Sequence, residues 1–121
     1  MLGDKNDLQI LYLNDNNIGD DGACAVCVGL KYNDTLKTLS LNRNSIGAIG
    51  AGEIGLALLG GNNGLQTLYQ DDTNIGDDGS GAICVGLKHN DTLVEIHLEG
   101  NSIGEDGSSQ LRNVLNKPLT T

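Results

Sequence analysis

The residues able to do chemistry are few, and their spacing argues against most of it. Cys24 and Cys27 stand three apart, like half of a zinc or redox site, but Cys84 is the one other thiol and supplies no second pair. Both fall where the apolar spacing is helical, a place for small packed thiols. Three cysteines make a poor disulfide framework and fit a reducing compartment. Only His89 and His97 carry imidazoles. His97 comes near Glu95, Glu99 and Asp71 once the repeating segments are aligned, yet one imidazole among solvated acids makes a weak metal site. Asp15-Asn16-Asn17 and Asp20-Asp21-Gly22 imitate calcium loops, but Ile18 and Gly19 stand where oxygen ligands are needed. Gly60-Gly61-Asn62-Asn63-Gly64 reads as a turn and lacks the lysine of a phosphate loop. No nucleophile, base and orienting group converge. We therefore expect no enzyme, no cofactor and no bound metal.

Charge narrows the partners. Sixteen acids against seven bases give a formal net charge of -9, which repels nucleic acid and anionic lipid and attracts a basic protein surface. No apolar run approaches the roughly 20 residues that span a bilayer. The start, Met1-Leu2-Gly3-Asp4, lacks a signal-peptide layout, so an intracellular, cytoplasmic setting is expected. With no Phe or Trp, a core must come from thin aliphatic layers. The sequons Asn33-Asp34-Thr35 and Asn90-Asp91-Thr92 occupy equivalent places, which favours a structural loop role over glycosylation.

Those layers are visible as a repeat. Leu8, Leu36, Leu65 and Leu93 open similar segments at spacings of 28, 29 and 28 residues. Each begins with a period-two stretch, such as Leu11-Tyr-Leu13 or Leu39-Ser-Leu41, which predicts a short strand with one buried face. Each then passes Asn16, Asn44 or Asn101 (Thr73 in the third) and a glycine to apolar pairs four apart: Val26/Leu30, Ile54/Leu58, Ile83/Leu87 and Leu111/Leu115. Spacing of i, i+4 is one face of a helix. The asparagines are placed to satisfy backbone groups of their own turn and of a neighbour. Asp20-Asp21, Asp77-Asp78 and Glu105-Asp106 sit just ahead of the helices, where the positive end of the helix dipole favours them. Strands about 4.8 Å apart against helices roughly 10 Å wide force the stack to curve. The fold class is an α/β solenoid of right-handed strand-helix repeats, with a parallel sheet on the concave face and helices on the convex face.

These segments, Leu8-Gln-Ile-Leu11-Tyr-Leu13-Asn-Asp-Asn16 and its counterparts, resemble ribonuclease-inhibitor-like leucine-rich repeats. Lys31-Tyr-Asn-Asp-Thr-Leu36 and Lys88-His-Asn-Asp-Thr-Leu93 look especially like those of NOD-like receptors. The resemblance covers Leu8 to about Leu115. It implies a binding surface for another protein, and two narrower uses: regulation of a small GTPase, as in the Ran GTPase-activating protein, or the sensing tail of a NOD-like receptor. Fold alone does not choose among them.

One domain over residues 1–121 is expected, with repeats from about 8, 36, 65 and 93, a partial repeat at 1–7 and a cap at about 107–121. Leu2 lies six residues before Leu8, as Leu30 lies six before Leu36, so it matches the last helix leucine of a preceding repeat. Ser108-Ser-Gln-Leu111-Arg-Asn-Val-Leu115 is polar outside its buried positions, and Pro118 ends it, as a cap requires. A C-terminal part of a longer solenoid, a subunit of a larger complex or a homo-oligomer would each suit this layout. Gln70, in the place of Leu13, Leu41 and Leu98, is expected to be a tolerated, water-bridged defect rather than a bend or contact point.

Two faces could bind. On the concave face the columns are Tyr12, Ser40, Tyr69, His97; Asn14, Asn42, Asp71, Glu99; Asp15, Arg43, Asp72, Gly100; and Ile10, Thr38, Thr67, Glu95. Acids gather toward the C-terminal half, and Arg43 between Asp15 and Asp72 is placed for a cross-strand charge pair. This face is either a site for a basic peptide or protein surface, or simply a solvated side of the scaffold. On the convex face, Cys24, Val28, Leu56 and Val85 stand where such repeats usually carry charge, and an exposed apolar strip marks an interface. Docking through it, an unselected surface and a register one residue off are the three readings.

Overall fold

The computed structural model describes residues 8–60, 64–114 and 119–120. Strand and helix alternate as the spacing requires: β1 (Ile10–Tyr12), α1 (Gly19–Lys31), β2 (Thr38–Ser40), α2 (Gly47–Gly60), β3 (Thr67–Tyr69), α3 (Gly76–Lys88), β4 (Glu95–His97), α4 (Glu105–Val114) and β5 (Leu119–Thr120). The strands form one parallel sheet in sequence order. Leu11, Leu39, Leu68 and Ile96 stand in register across it, with Ile10, Thr38, Thr67 and Glu95 on one flank and Tyr12, Ser40, Tyr69 and His97 on the other. The structure is an α/β leucine-rich-repeat solenoid.

The core lies between sheet and helices. Leu39, Leu68 and Ile96 from the strands meet Ile54, Leu58, Ile83, Leu87 and Leu111 from the helices, all buried. Repeat one closes less well: Leu8 is 44% exposed where Leu36, Leu65 and Leu93 are buried, and Leu11 and Val26 are half-buried. A cavity of about 240 Å³ opens there, lined by Leu8, Leu11, Val26, Gly29, Leu30, Asn33, Leu36 and Leu39.

Helix starts are secured between repeats rather than within them. Ile18 and Ile75 cap α1 and α3 without a side-chain bond. Instead Gly19, Gly47 and Gly76, all in the left-handed region, donate their N–H to Asn44 O, Thr73 O and Asn101 O of the following repeat, at 2.8 to 3.0 Å. Glycine takes that conformation without steric cost. The acids expected ahead of the helices lie in their first turns or open them, and two reach a neighbour: Asp20 Oδ1 accepts from Gly50 N at 2.6 Å and Asp77 Oδ1 from Gly104 N at 2.8 Å. The acid-free start of α2 thereby receives a carboxylate from repeat one.

The asparagine positions behave as the turn geometry demands. Asn44 Oδ1 accepts from Asn16 N and Ile18 N, while its Nδ2 donates to Leu13 O, Leu41 O and Asn42 O. Asn101 Oδ1 accepts from Thr73 N and Ile75 N, and its Nδ2 donates to Gln70 O and Glu99 O. Asn33 Oδ1 accepts from Thr35 N and Leu36 N; Asn90 Oδ1 accepts from Thr92 N and Leu93 N. Both sequons are therefore built into loop turns, and Asn90 is buried with its Nδ2 donating to Leu58 O.

Gln70 is fully buried, with neither side-chain polar atom bonded to the described residues, which fits a polar defect in the core rather than a contact point. The segment expected to form a cap also contains β5, which pairs with β4 as Ile96↔Leu119 and His97↔Thr120. Two residues are too few to show a strand period. Leu2, Leu115 and Pro118 lie outside the described residues.

Candidate functional site

The columns predicted for the concave sheet face all form, but their residues divide sharply by role. Asn14, Asn42 and Asp71 make a ladder along the ends of the strands. Asn14 Oδ1 accepts from Asn42 N at 2.8 Å, Asn42 Oδ1 from Asp71 N at 2.6 Å, and Asp71 Oδ1 from Glu99 N at 2.7 Å. Each rung satisfies a backbone donor that the strand end leaves open. Ser40 is buried and donates to Asn14 Oδ1 at 2.6 Å, so it belongs to this ladder and offers a partner little surface.

The groups free to meet a partner lie beside the ladder. Tyr12 is 65% and Ile10 52% exposed at the first strand. At the other end the Tyr69 and His97 rings stack with centroids 4.4 Å apart, and His97 Nε2 bonds Glu95 Oε2. Asp72 and Glu99 are exposed next to them. Arg43 forks onto Asp15, with Nε to Oδ1 at 2.7 Å and a second bond to Oδ2 at 3.0 Å. That hydrogen bond holds the Asp15 carboxyl below its ordinary range and raises the Arg43 guanidinium. Asp72 lies close enough to add to the rise of Arg43. Of the two acids flanking Arg43 in its column across the sheet, the fork is made with Asp15.

Asp15, Arg43 and Asp72 share a further property that sequence reasoning missed. All three have positive φ, between 53° and 60°, and Gly100 continues the column at 70°. The glycine is the visible signal: a Cβ there would lie 2.0 Å from Asp72 Oδ1. Residues so held project from a fixed turn rather than a mobile loop.

On the helix side, Val28, Leu56 and Val85 are 53–62% exposed, and Cys24 is also exposed. A side chain at Gly52 or Gly81 would meet nothing within 4 Å, so this face is open among the described residues. Ile49 and Leu59 of α2 also show, beyond the two outward positions per helix that the spacing singles out. Tyr32 after α1 and Val94 before β4 are exposed as well. The Cys24 thiol donates to Glu53 Oε1 at 3.4 Å, and that bond raises its pKa. Burial pushes the Cys27 thiol up to about 12 and also raises Cys84. Raised thiols are poor nucleophiles and poor metal ligands at neutral pH. Among the described residues no cluster of three or more His, Cys, Asp or Glu could hold a metal ion.

A family model described as "Leucine Rich repeat" matches residues 5–27 and 32–55, the first two repeats of this stack. Those two segments are leucine-rich repeats. The chain is similar to pig (Sus scrofa) ribonuclease inhibitor, 29% identical over 121 residues, covering 100% of this chain and 26% of that protein. Leucine-rich repeat-containing protein 45 of chicken (Gallus gallus) is 33% identical over 107 residues, 87% of this chain and 16% of that protein. The leucine-rich-repeat chain thus spans about a sixth to a quarter of the relatives it matches. A solved structure titled "Leiomodin-1 Actin-Binding Site 2 (ABS2)" shares the fold with a TM-score of 0.80, at 21% identity over 93% of this chain and 69% of that one. Leucine-rich repeats are a protein-interaction fold. No helix of its described residues is long and apolar enough to cross a membrane.

Proposed function

We propose that this leucine-rich-repeat module holds a basic segment of a partner protein across its sheet face. The distribution of charge on that face carries the reading. The ladder occupies Asn14 and Asn42, and the Arg43 fork neutralises Asp15, so the remaining charges are Asp71, Asp72, Glu95 and Glu99, all toward one end. Tyr69 and His97 give that end a rigid flat floor, and Ile10 with Tyr12 gives the other end an apolar one. A segment with a cation and an apolar side chain separated by the width of three strand gaps, roughly 14 Å, complements both. Intracellular residence in a reducing compartment is part of this reading, supported by three free thiols.

Fluorescence anisotropy with a labelled panel of lysine- and arginine-containing peptides tests it. Binding should weaken with added salt, and Asp72→Asn together with Glu99→Gln should weaken it roughly tenfold, since two close charges are removed. Equal affinity for neutral peptides, or no effect of the pair of substitutions, would sink the proposal.

A second reading rests on the helix ridge of Val28, Leu56 and Val85, each more than half exposed. Such a strip suits a subunit or homo-oligomer contact. Light scattering should then show a mass above that of one chain, restored to the monomer by Leu56→Glu. A monodisperse monomer at high concentration would leave the sheet face as the binding surface.

A further inference from the structure

The apolar ridge on the helix side belongs to a larger pattern, and the pattern decides what fits it. Helix positions i, i+3, i+7 and i+10 share one face. On α1 that face runs Asp21, Cys24, Val28, Lys31, and on α3 it runs Asp78, Gly81, Val85, Lys88. Between them α2 carries Ile49, Gly52, Leu56 and Leu59. From start to end, each helix thus shows an outer residue, a small one, a large one and a second outer one. The outer residues of α1 and α3 are acids in the first turn and lysines in the last, all exposed. On α2 they are apolar, with Ile49 73% and Leu59 37% exposed. An apolar centre with charges at its corners has the make-up of a protein interface, an apolar core inside a polar rim. The patch also has an edge, because the equivalent positions of α4 are Asp106, Ser109 and Asn113, all polar and exposed.

This pattern complements itself in one orientation. A second copy related by a two-fold axis running across the helices lays each helix antiparallel on its own counterpart. The four positions of each helix are then exchanged end for end. Small meets large: Gly52 faces Leu56 of the second copy, Gly81 faces Val85 and Cys24 faces Val28. Acid meets base: Asp21 faces Lys31 and Asp78 faces Lys88. Room for the large side chains exists, since a Cβ on Gly52 or Gly81 would meet nothing within 4 Å. A two-fold axis along the helices does the opposite. It would lay α1 parallel on α3, with Asp21 against Asp78, Lys31 against Lys88 and Val28 against Val85. Charge and bulk select the same orientation.

We infer that the helix side is the contact of an antiparallel homodimer, with α2 on α2 at its centre and acid–lysine pairs at its four corners. This rests on the reading of the ridge as a subunit contact, and adds the occupant, the orientation and the pairing. A formal charge of -9 on each chain opposes association at long range, and the corner pairs are where the interface offsets it.

Two charge variants of the full chain test the pairing. Asp21→Lys with Asp78→Lys leaves only lysines at the corners, and Lys31→Asp with Lys88→Asp leaves only acids. Sedimentation equilibrium should find the unaltered chain dimeric, each variant alone weakened roughly tenfold or more, and their equimolar mixture dimeric again. Val28→Cys checks the orientation with every charge in place. Oxidation by diamide should link it to Cys24 of the second copy, and adding Cys24→Ser should abolish the link. The parallel arrangement would instead link Gly81→Cys to Cys24. A dimer that Leu56→Glu breaks but neither charge variant weakens, a link through Gly81→Cys, or open-ended association would overturn this pairing and leave the subunit contact standing. A monomer at every concentration would overturn both.

Discussion

The junction between repeats two and three is built differently from those on either side. At one–two and at three–four an asparagine spans the sheet side: Asn44 reaches back to Leu13 O and Asn16 N, and Asn101 to Gln70 O and Thr73 N. At two–three the equivalent residue is Thr73, whose hydroxyl finds its partners in repeats three and four, Gln70 O at 3.1 Å and Asn101 Oδ1 at 3.0 Å. There the helix side compensates, through the glycine contact of Gly55 and Gly86 and the loop bond of Asn90. A solenoid can thus be tied on its sheet side or its helix side. A polar core residue, Gln70, sits in the repeat whose own turn lacks the asparagine.

The comparison breaks most visibly if its polar and apolar core positions are exchanged. Leu41 and Gln70 are both fully buried at equivalent places. Leu41→Gln should cost about 3–5 kcal/mol, since it removes an apolar side chain and leaves an amide to be desolvated. Gln70→Leu should instead stabilise by about 1–2 kcal/mol, because it deletes two buried polar atoms unbonded to the described residues. Urea unfolding midpoints of the two variants measure both. A destabilising Gln70→Leu would mean that the amide has a structural partner.

Removing an asparagine rung comes next. Asn101→Ala strips partners from Thr73 N, Ile75 N, Gln70 O and Glu99 O in one step, and should cost about 3 kcal/mol. Thr73→Asn should cost less than 1 kcal/mol or stabilise, if the missing rung can be rebuilt toward repeat two. A large loss on Thr73→Asn would show that the glycine contact fixes the helices too close for the rung to form. Thermal midpoints of the two variants order the sheet-side and helix-side ties directly.

Much of this was legible in the sequence, and for a physical reason. Leucine columns and turn asparagines report layers that recur every 28 or 29 residues, and periodicity reads recurrence well. The four strands, the four helices and the sheet-face columns follow from it. Asn14, Asn42 and Asp71 were placed correctly on the face, but their commitment to the next strand's N–H groups was not readable. A column of exposed polar residues has the same letters whether it binds a partner or the backbone. The glycine contact was equally silent, because Gly29 and Gly86 are the same letter with different neighbours. Only the geometry separates them.

The smallest effect expected is at the one ion pair on the sheet face built from an arginine. Asp15 and Arg43 are more than half exposed, so the fork has a good shape but is screened by water and salt. Arg43 lowers the Asp15 pKa on folding. A carboxyl depressed in the folded state contributes stability above its unfolded pKa, near 4, and loses it as pH falls through the lower folded value. Asp15→Asn should therefore flatten the acid limb of the stability curve slightly below pH 4 and leave the neutral-pH midpoint almost unchanged. If the neutral midpoint fell by several degrees instead, the fork would be fixing the left-handed turns at Asp15 and Arg43, and the junction between repeats one and two would have a third tie on its sheet side.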